Sequence, residues 1–237
     1  MLDIVAQESQ RYGVRFTESQ MGRMQQYHDL LIERSPLVNL IANTDSETIQ
    51  RRHILESIAL GAALREREIL RPTSNLLDVG AGAGFPGLVL KIAWPQIELT
   101  LIEATAKKAA FLSDVVVALS LDETRVLTGR AEDLAHDAGL RGAFDLVVAR
   151  AVAPLPTLLE LTLPFARLRG HVATPKGSRA TAEVEAASRA ATVLAARIFT
   201  IPFGVPGPPQ TLVVARKDAL TPPEFPRRPG LPAKRPL

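Results

Sequence analysis

The sequence predicts an α/β fold: a mostly parallel, Rossmann-like seven-stranded sheet covered by helices on both faces and preceded by an N-terminal helical segment. Three observations lead to it. From Leu76 onward, seven short apolar runs alternate with helical stretches, the texture of strands buried on both faces. Residues 1–71 show helical periodicity only. The interval between the last two runs, Pro202–Pro209, is rich in proline and glycine and too short for a crossover helix, so the final strand should return antiparallel.

In the helical segment, apolar positions recur through Leu30-Leu31 and again through Ile49, Ile54, Ile58 and Ala62, implying two or three packed helices. Thr44-Asp45-Ser46-Glu47 matches a capping box, with Thr44 and Glu47 closing the start of the helix that carries Arg51, Arg52 and His53. Arg71-Pro72-Thr73-Ser74-Asn75 breaks the pattern, because a residue before proline is pushed out of the helical region. The domain boundary falls there, giving a helical segment at 1–71, an α/β domain at 72–217 and a proline-rich basic tail at 218–237. The expected strands are Leu76–Val79, Leu99–Ile102, Arg125–Leu127, Phe144–Ala149, His171–Ala173, Arg197–Ile201 and Thr211–Ala215. Between the second and third, Lys107–Leu119 forms a helix with Phe111, Leu112, Val115, Val116 and Leu119 on one face. Six prolines from Pro222 to Pro236 argue against a packed element in the tail, which is expected to be flexible.

With 237 residues, 46% of them hydrophobic, the chain can bury a full α/β core. It has no cysteine, which excludes a disulfide framework, thiolate metal sites and a cysteine nucleophile. No metal is expected. Met1-Leu2-Asp3-Ile4-Val5 has no cationic leader, and no apolar window is long enough to span a membrane, so a cytoplasmic protein, monomeric and without a membrane partner, is expected. The basic surplus lies mostly in residues 216–237, which hold six Lys/Arg against two Asp/Glu. It reads equally as a solvated tail or as an arm that meets phosphate.

The chemistry centres on Asp78-Val79-Gly80-Ala81-Gly82-Ala83-Gly84, a turn joining the first strand to a helix. Such a turn lets backbone N–H groups approach a ligand closely, since no Cβ stands in the way. Gly82-x-Gly84-x-x-Gly87 also satisfies the dinucleotide fingerprint, so the glycines alone are ambiguous. Asp78 shifts the balance: a carboxylate there suits the cationic amino-acid end of S-adenosylmethionine and would repel a pyrophosphate. Phe85-Pro86 opens the following helix, with Pro86 suited to its first turn. Glu103, ending the second strand, can accept both hydroxyls of an adenosine ribose. Gly129-Arg130-Ala131-Glu132-Asp133 follows the third strand, where backbone and acid groups can read an adenine edge or simply start a helix.

The fourth strand runs into Val148-Ala149-Arg150-Ala151-Val152-Ala153-Pro154 without the polar-Pro-Pro-aromatic clamp that amine methylation uses, and the missing cysteine rules out attack at a pyrimidine carbon 5. An acceptor with a free lone pair, such as a ring nitrogen, needs neither device and can be served by positioning.

The chain resembles the bacterial 16S ribosomal RNA guanine-N7 methyltransferase family, also called glucose-inhibited division protein B. The resemblance runs from about Tyr27 to Arg216 and covers Asn39-Leu40, Arg52 to Ser57, Leu77 to Gly87, Lys107-Lys108-x-x-Phe111-Leu112, Gly129 to Glu132, Ala149 to Ala153 and Pro175-Lys176-Gly177. It implies a class I S-adenosylmethionine-dependent methyltransferase acting on a guanine in the decoding-region loop of the small ribosomal subunit. It also implies cofactor contacts at Gly80, Phe85, Ala131, Glu132 and Arg150, alongside Asp78, Gly82, Gly84 and Glu103. Glu56 stands where the family more often has aspartate.

Arg150, at a strand's carboxyl end, is the expected catalytic residue, meeting the cofactor carboxylate or the O6 and N7 edge of guanine; its plainer reading is an internal salt bridge. Arg52, His53, Lys107, Lys108 and Lys176 are candidate RNA contacts, His53 being equally suited to packing and the lysines to solvated charge. A nicotinamide oxidoreductase would use the same turn but lacks a visible general acid or base. A non-catalytic ribosome-assembly factor retaining the fold is the other alternative.

Overall fold

The computed structural model describes residues 2–204 and 210–237. The chain opens with α1 (Asp3–Glu8), a 3₁₀ turn (Ser9–Tyr12) and α2 (Glu18–Val38). Thr17 and Gln20 close the start of α2 as a reciprocal capping box. Next comes a continuous helical run made of α3 (Ser46–Ile49), a π-helical stretch (Gln50–Leu55) and α4 (Glu56–Glu66). Its cap is Asp45, whose carboxylate accepts from Thr48 N–H at 2.8 Å, rather than the expected Thr44. An Asp one position later places a charged acceptor on the third helical N–H and wins. The five-residue step from Ile49 to Ile54, both wholly buried, is taken up by the wider π turn.

The sheet follows as β1 (Asn75–Val79), α5 (Gly87–Ala93), β2 (Glu98–Glu103), α6 (Ala106–Ala118), β3 (Thr124–Thr128), α7 (Ala131–Leu134), β4 (Phe144–Val148), α8 (Leu155–Thr162), β5 (Ala166–Lys176), α9 (Ala180–Ala186), α10 (Ser188–Val193), β6 (Ala196–Phe203) and β7 (Gln210–Lys217). All seven expected strands form, in the order β3-β2-β1-β4-β5-β7-β6. β1 to β5 are parallel, while β7 runs antiparallel to both β5 and β6. Part of the turn assigned to Pro202–Pro209 is strand, since β6 continues to Phe203; residues 205–209 lie outside the described residues.

Alternate β1 residues face opposite layers. Leu76 packs with the N-terminal helices, α5 and α6, and Leu77 with α8 and α10. Met24, Tyr27 and Leu31 of α2 share one core with Leu88 and Leu101, so the break at Arg71–Asn75 separates two textures but not two cores.

The carboxyl segment departs from expectation. It docks on α7 and α8 and ends in a short helix, α11 (Leu231–Lys234), with Phe225 buried. Proline removes N–H donors but leaves carbonyls, and side chains of the domain supply the missing donors. Arg141 donates to the Pro222 and Phe225 carbonyls at 2.9 and 2.7 Å, and Thr157 Oγ1 to that of Pro232 at 3.0 Å. Arg227 grips both oxygens of the fully buried Glu160 carboxylate at 2.8 and 2.6 Å. Among the described residues no helix is long and apolar enough to cross a membrane, and no cluster of three His, Cys, Asp or Glu side chains has metal-binding geometry.

Candidate active site

The chain passes outward from β1 through β2 to β3, then jumps back to place β4 on β1's other side, so a crevice opens at the carboxyl ends of β1 and β4. It is a cleft of about 690 Å³ lined, among others, by Gly80, Gly82, Phe85, Arg150, His53 and Lys176. The turn after β1 is tied down by Gly80 and Ala81 N–H groups donating to the Ile102 carbonyl. Gly82 has φ of +58°, and a Cβ there would meet nothing nearer than the Gly80 carbonyl oxygen at 3.8 Å. Its open side is the cradle that a ligand can fill. Gly84 serves packing instead: at φ +104°, a Cβ would lie 2.4 Å from Leu88 Cδ1.

The acids hold the turn from beneath. Asp78 is wholly buried and does not line the cleft; its Oδ2 accepts from Gly87 N–H at 2.8 Å, while Oδ1 has no partner among the described residues. Burial pushes its carboxyl up to about 7 against the opposing Gly87 bond and Arg150 charge. Any pull on a bound cation therefore acts through the turn. Glu103 ends β2 with Oε2 accepting from Gly82 N–H at 2.9 Å and Oε1 from Thr105 N–H at 2.7 Å. Each oxygen keeps a second lone pair, so a pair of hydroxyl donors can still be accepted. Ala131 and Glu132 begin α7 outside the cleft lining, and Glu132 Oε1 accepts from Gly230 N–H of the docked carboxyl segment at 3.0 Å.

Arg150 is fixed from several sides. Its guanidinium donates to the Arg52 carbonyl at 3.1 Å and to His53 Nδ1 at 3.0 Å, lies 3.8 Å from Glu56 Oε2, and sits 5.2 Å from the centre of the Phe85 ring. His53 stacks on Phe85 with centroids 5.0 Å apart. Burial, then the Arg150 and Arg52 charges, hold the imidazole down to about 4, so it is neutral at pH 7 and free to accept at Nδ1. Burial raises the Glu56 carboxyl, with the Arg150 charge and a Gln210 hydrogen bond opposing. The π turn is what makes this possible, since it brings the Arg52 carbonyl and the His53 ring to the same guanidinium.

Of the expected RNA contacts, Arg52 is exposed on the cleft rim and Lys108 half-buried beside it, while Lys107 is exposed outside the lining. Lys176 lines the cleft but is bound to Glu183 at 2.8 Å and to the Ala153 carbonyl at 3.1 Å. His53 is committed to Arg150 and Phe85. Sequence reasoning missed Glu56 as the partner of Arg150, although it lies one helical turn beyond His53. It also missed Tyr27, whose buried hydroxyl donates to the Ala83 carbonyl at 2.7 Å and braces the turn; no local signal links residues that far apart.

Residues 20–211 match the family model described as GidB, rRNA small subunit methyltransferase G. The chain is similar to the ribosomal RNA small subunit methyltransferase G of Chloroflexus aggregans, 42% identical over 95% of this chain and 94% of that protein. The Moorella thermoacetica protein of the same name is 40% identical over 99% and 97%. Among solved structures, MtNAS in complex with MTA and tNA superposes with a TM-score of 0.55 at 16% identity, covering 84% of this chain and 74% of that one. TrmN from Thermus thermophilus gives 0.50 at 20% identity, covering 68% and 48%. These likenesses show the class I methyltransferase fold, and the sequence match shows that the chain belongs to the rRNA small subunit methyltransferase G family.

Proposed function

We propose that this chain is an enzyme that transfers a methyl group from S-adenosylmethionine to N7 of a guanine in 16S ribosomal RNA, in the decoding-region loop of the small subunit. The supporting observation is the state of the cleft's bases. Its one imidazole and its one carboxylate among the described lining residues, His53 and Glu56, are both committed to Arg150. Among the described residues no free general base lines the cleft, and guanine N7, which attacks with its own lone pair and loses no proton, requires none.

The donor set fits the cofactor. Bound S-adenosylmethionine supplies an electrophilic methyl group on a cationic sulfonium. The backbone of Gly80 and Gly82, beside Phe85, would cradle it, Glu103 would take the ribose hydroxyls, and Ala131 and Glu132, at the start of α7 beyond the cleft lining, would serve the adenine end. Asp78 holds the turn from below through its bond from Gly87 N–H. Arg150 has used two of its five N–H groups and keeps three for the cofactor carboxylate or guanine O6. It acts by orienting the acceptor and opposing misplacement, not by moving a proton. Arg52, Lys107 and Lys108 receive RNA phosphates, with Lys176 held at the rim by Glu183. The enzyme works as a cytoplasmic monomer.

Incubating unmodified small subunits and protein-free 16S RNA with labelled cofactor, then cleaving at N7-methylguanine, tests the reading. Label at a single guanine is expected. Label released as N1- or N2-methylguanine, or binding without transfer, overturns it.

A further inference from the structure

At the opposite end of the sheet from the cleft, two adjoining hollows of about 170 and 550 Å³ share Glu68, Ile69, Arg71 and His171. Six arginines line them: Arg67, Arg71, Arg167, Arg169, Arg197 and Arg216. Against these stand Glu68 and Asp145 in the lining, Glu66, which pairs with Arg67, and Asp218, which pairs with Arg197 and Arg216, leaving two positive charges in excess. Burial and the charges of Arg216, Arg167 and Arg71 hold His171 below the ordinary imidazole range, in keeping with a positive local field.

The backbone presents this charge by a specific device. Pairing of β5 with β4 steps from Phe144–Ala166 to Leu146–His171, a bulge with three extra residues on β5, within which Leu168 and Arg169 are exposed. Arg169 sits at φ +64°, a left-handed conformation that a non-glycine residue adopts only at a cost. Its side chain is exposed and engaged by no hydrogen bond or ion pair among the described residues. On β6, in the adjoining hollow, Phe199 is 37% exposed and meets His171 edge to face, with centroids 6.4 Å apart. Cations spread over several strands suit a chain of phosphates better than a single anion, and an exposed aromatic among them offers a surface for a base to stack on.

The geometry points to a second RNA-binding face here, which grips a segment of the substrate RNA remote from the target base. Arg169 and Arg197 contact phosphates, and Phe199 stacks a base. Lys176 at the cleft and His171 at this face lie five residues apart on β5, about 16 Å at strand rise, so the two contacts engage different parts of one RNA. The inference rests on the proposed rRNA substrate and extends it to how that substrate is held.

The test is an Arg169→Glu, Arg197→Glu double variant and, separately, Phe199→Ala, all at exposed positions outside the cleft. For the double variant, KM for small subunits should rise roughly tenfold with kcat and cofactor affinity unchanged. The slope of log affinity for protein-free 16S RNA against log salt should shrink by about 1.4, two phosphates at about 0.7 each. Phe199→Ala should weaken RNA binding roughly tenfold without altering that slope. Wild-type KM and slope in the double variant overturn the proposal. So does a loss seen with assembled subunits but not with protein-free RNA, which would mark a contact to ribosomal protein. A wild-type chain that methylates neither substrate refutes the function reading instead, and the salt slope still reads the face.

Discussion

Replacing Arg150 with alanine removes the cation that His53, Glu56 and Phe85 hold in the cleft. Two hydrogen bonds from a charged donor are lost, to the Arg52 carbonyl and His53 Nδ1, each contributing about 1.5–3 kcal/mol in comparable settings. At 3.8 Å from Glu56, with both side chains under one-fifth exposed, the ion pair has a Coulomb energy of about 4 kcal/mol at an effective dielectric of 20. Relief of the arginine's own desolvation offsets much of that total. A net loss of about 2–4 kcal/mol is expected, lowering Tm by roughly 5–15 °C for a chain of this size. The catalytic effect is separate: losing a preorganised donor at the reacting group should slow single-turnover methyl transfer at saturating cofactor by about 10²–10³-fold. Arg150→Lys keeps the charge but not the planar fork, and should fall between. With the Arg150 charge gone, the His53 titration followed by NMR should move up from about 4. An Arg150→Ala variant that loses stability but transfers methyl within threefold of wild type would reduce Arg150 to a structural ion pair and refute the positioning argument.

Four further outcomes follow from the same structure. Gly82→Val should leave the protein folded, at the cost of a left-handed valine, and abolish cofactor binding by calorimetry, whereas Gly84→Val, which also drives a Cβ into Leu88, should cost more thermal stability; equal losses of stability at both would undo the distinction between cradle and packing. Between pH 4 and 7 the folded chain keeps an Asp78 proton that the unfolded chain has released, so this group costs stability as pH rises through that window, by up to about 1.4 kcal/mol per unit. Asp78→Asn keeps an acceptor for Gly87 N–H and should flatten that slope in denaturation measured across pH; an unchanged slope would mean the site is not so raised. The methyl-transfer rate should be flat from pH 7 to 9 and decline only as His53 protonates toward pH 4, where the unfolded imidazole binds its proton first and stability also falls; a rising limb near neutrality would indicate a general base. Arg227→Ala strands the buried Glu160 carboxylate and should destabilise by about 3–5 kcal/mol in urea titration, an outcome that a loosely attached carboxyl segment would not give.

The glycine-rich turn, the strand-end acids Asp78 and Glu103, and the alternation of strands with helices were legible because each is written in adjacent residues: glycines mark backbone that must pass close to a ligand, and apolar period marks a face. The antiparallel last strand was legible from the shortness of its connection. What the sequence by itself determined is therefore the class of fold and the place where a nucleoside cofactor is cradled. Tertiary structure alone decided how the cleft is armed. The π turn that carries Arg52 and His53 to Arg150 joins residues about a hundred positions apart, and only folding shows that this contact leaves His53 neutral. The proline-rich tail looked unable to pack because its own donors are missing; Arg141, Thr157 and the buried Glu160 supply its partners, and no local pattern announces a partner contributed by another layer. Chain-local constraints are visible in sequence, whereas the satisfaction of buried polar groups depends on what the completed fold brings beside them.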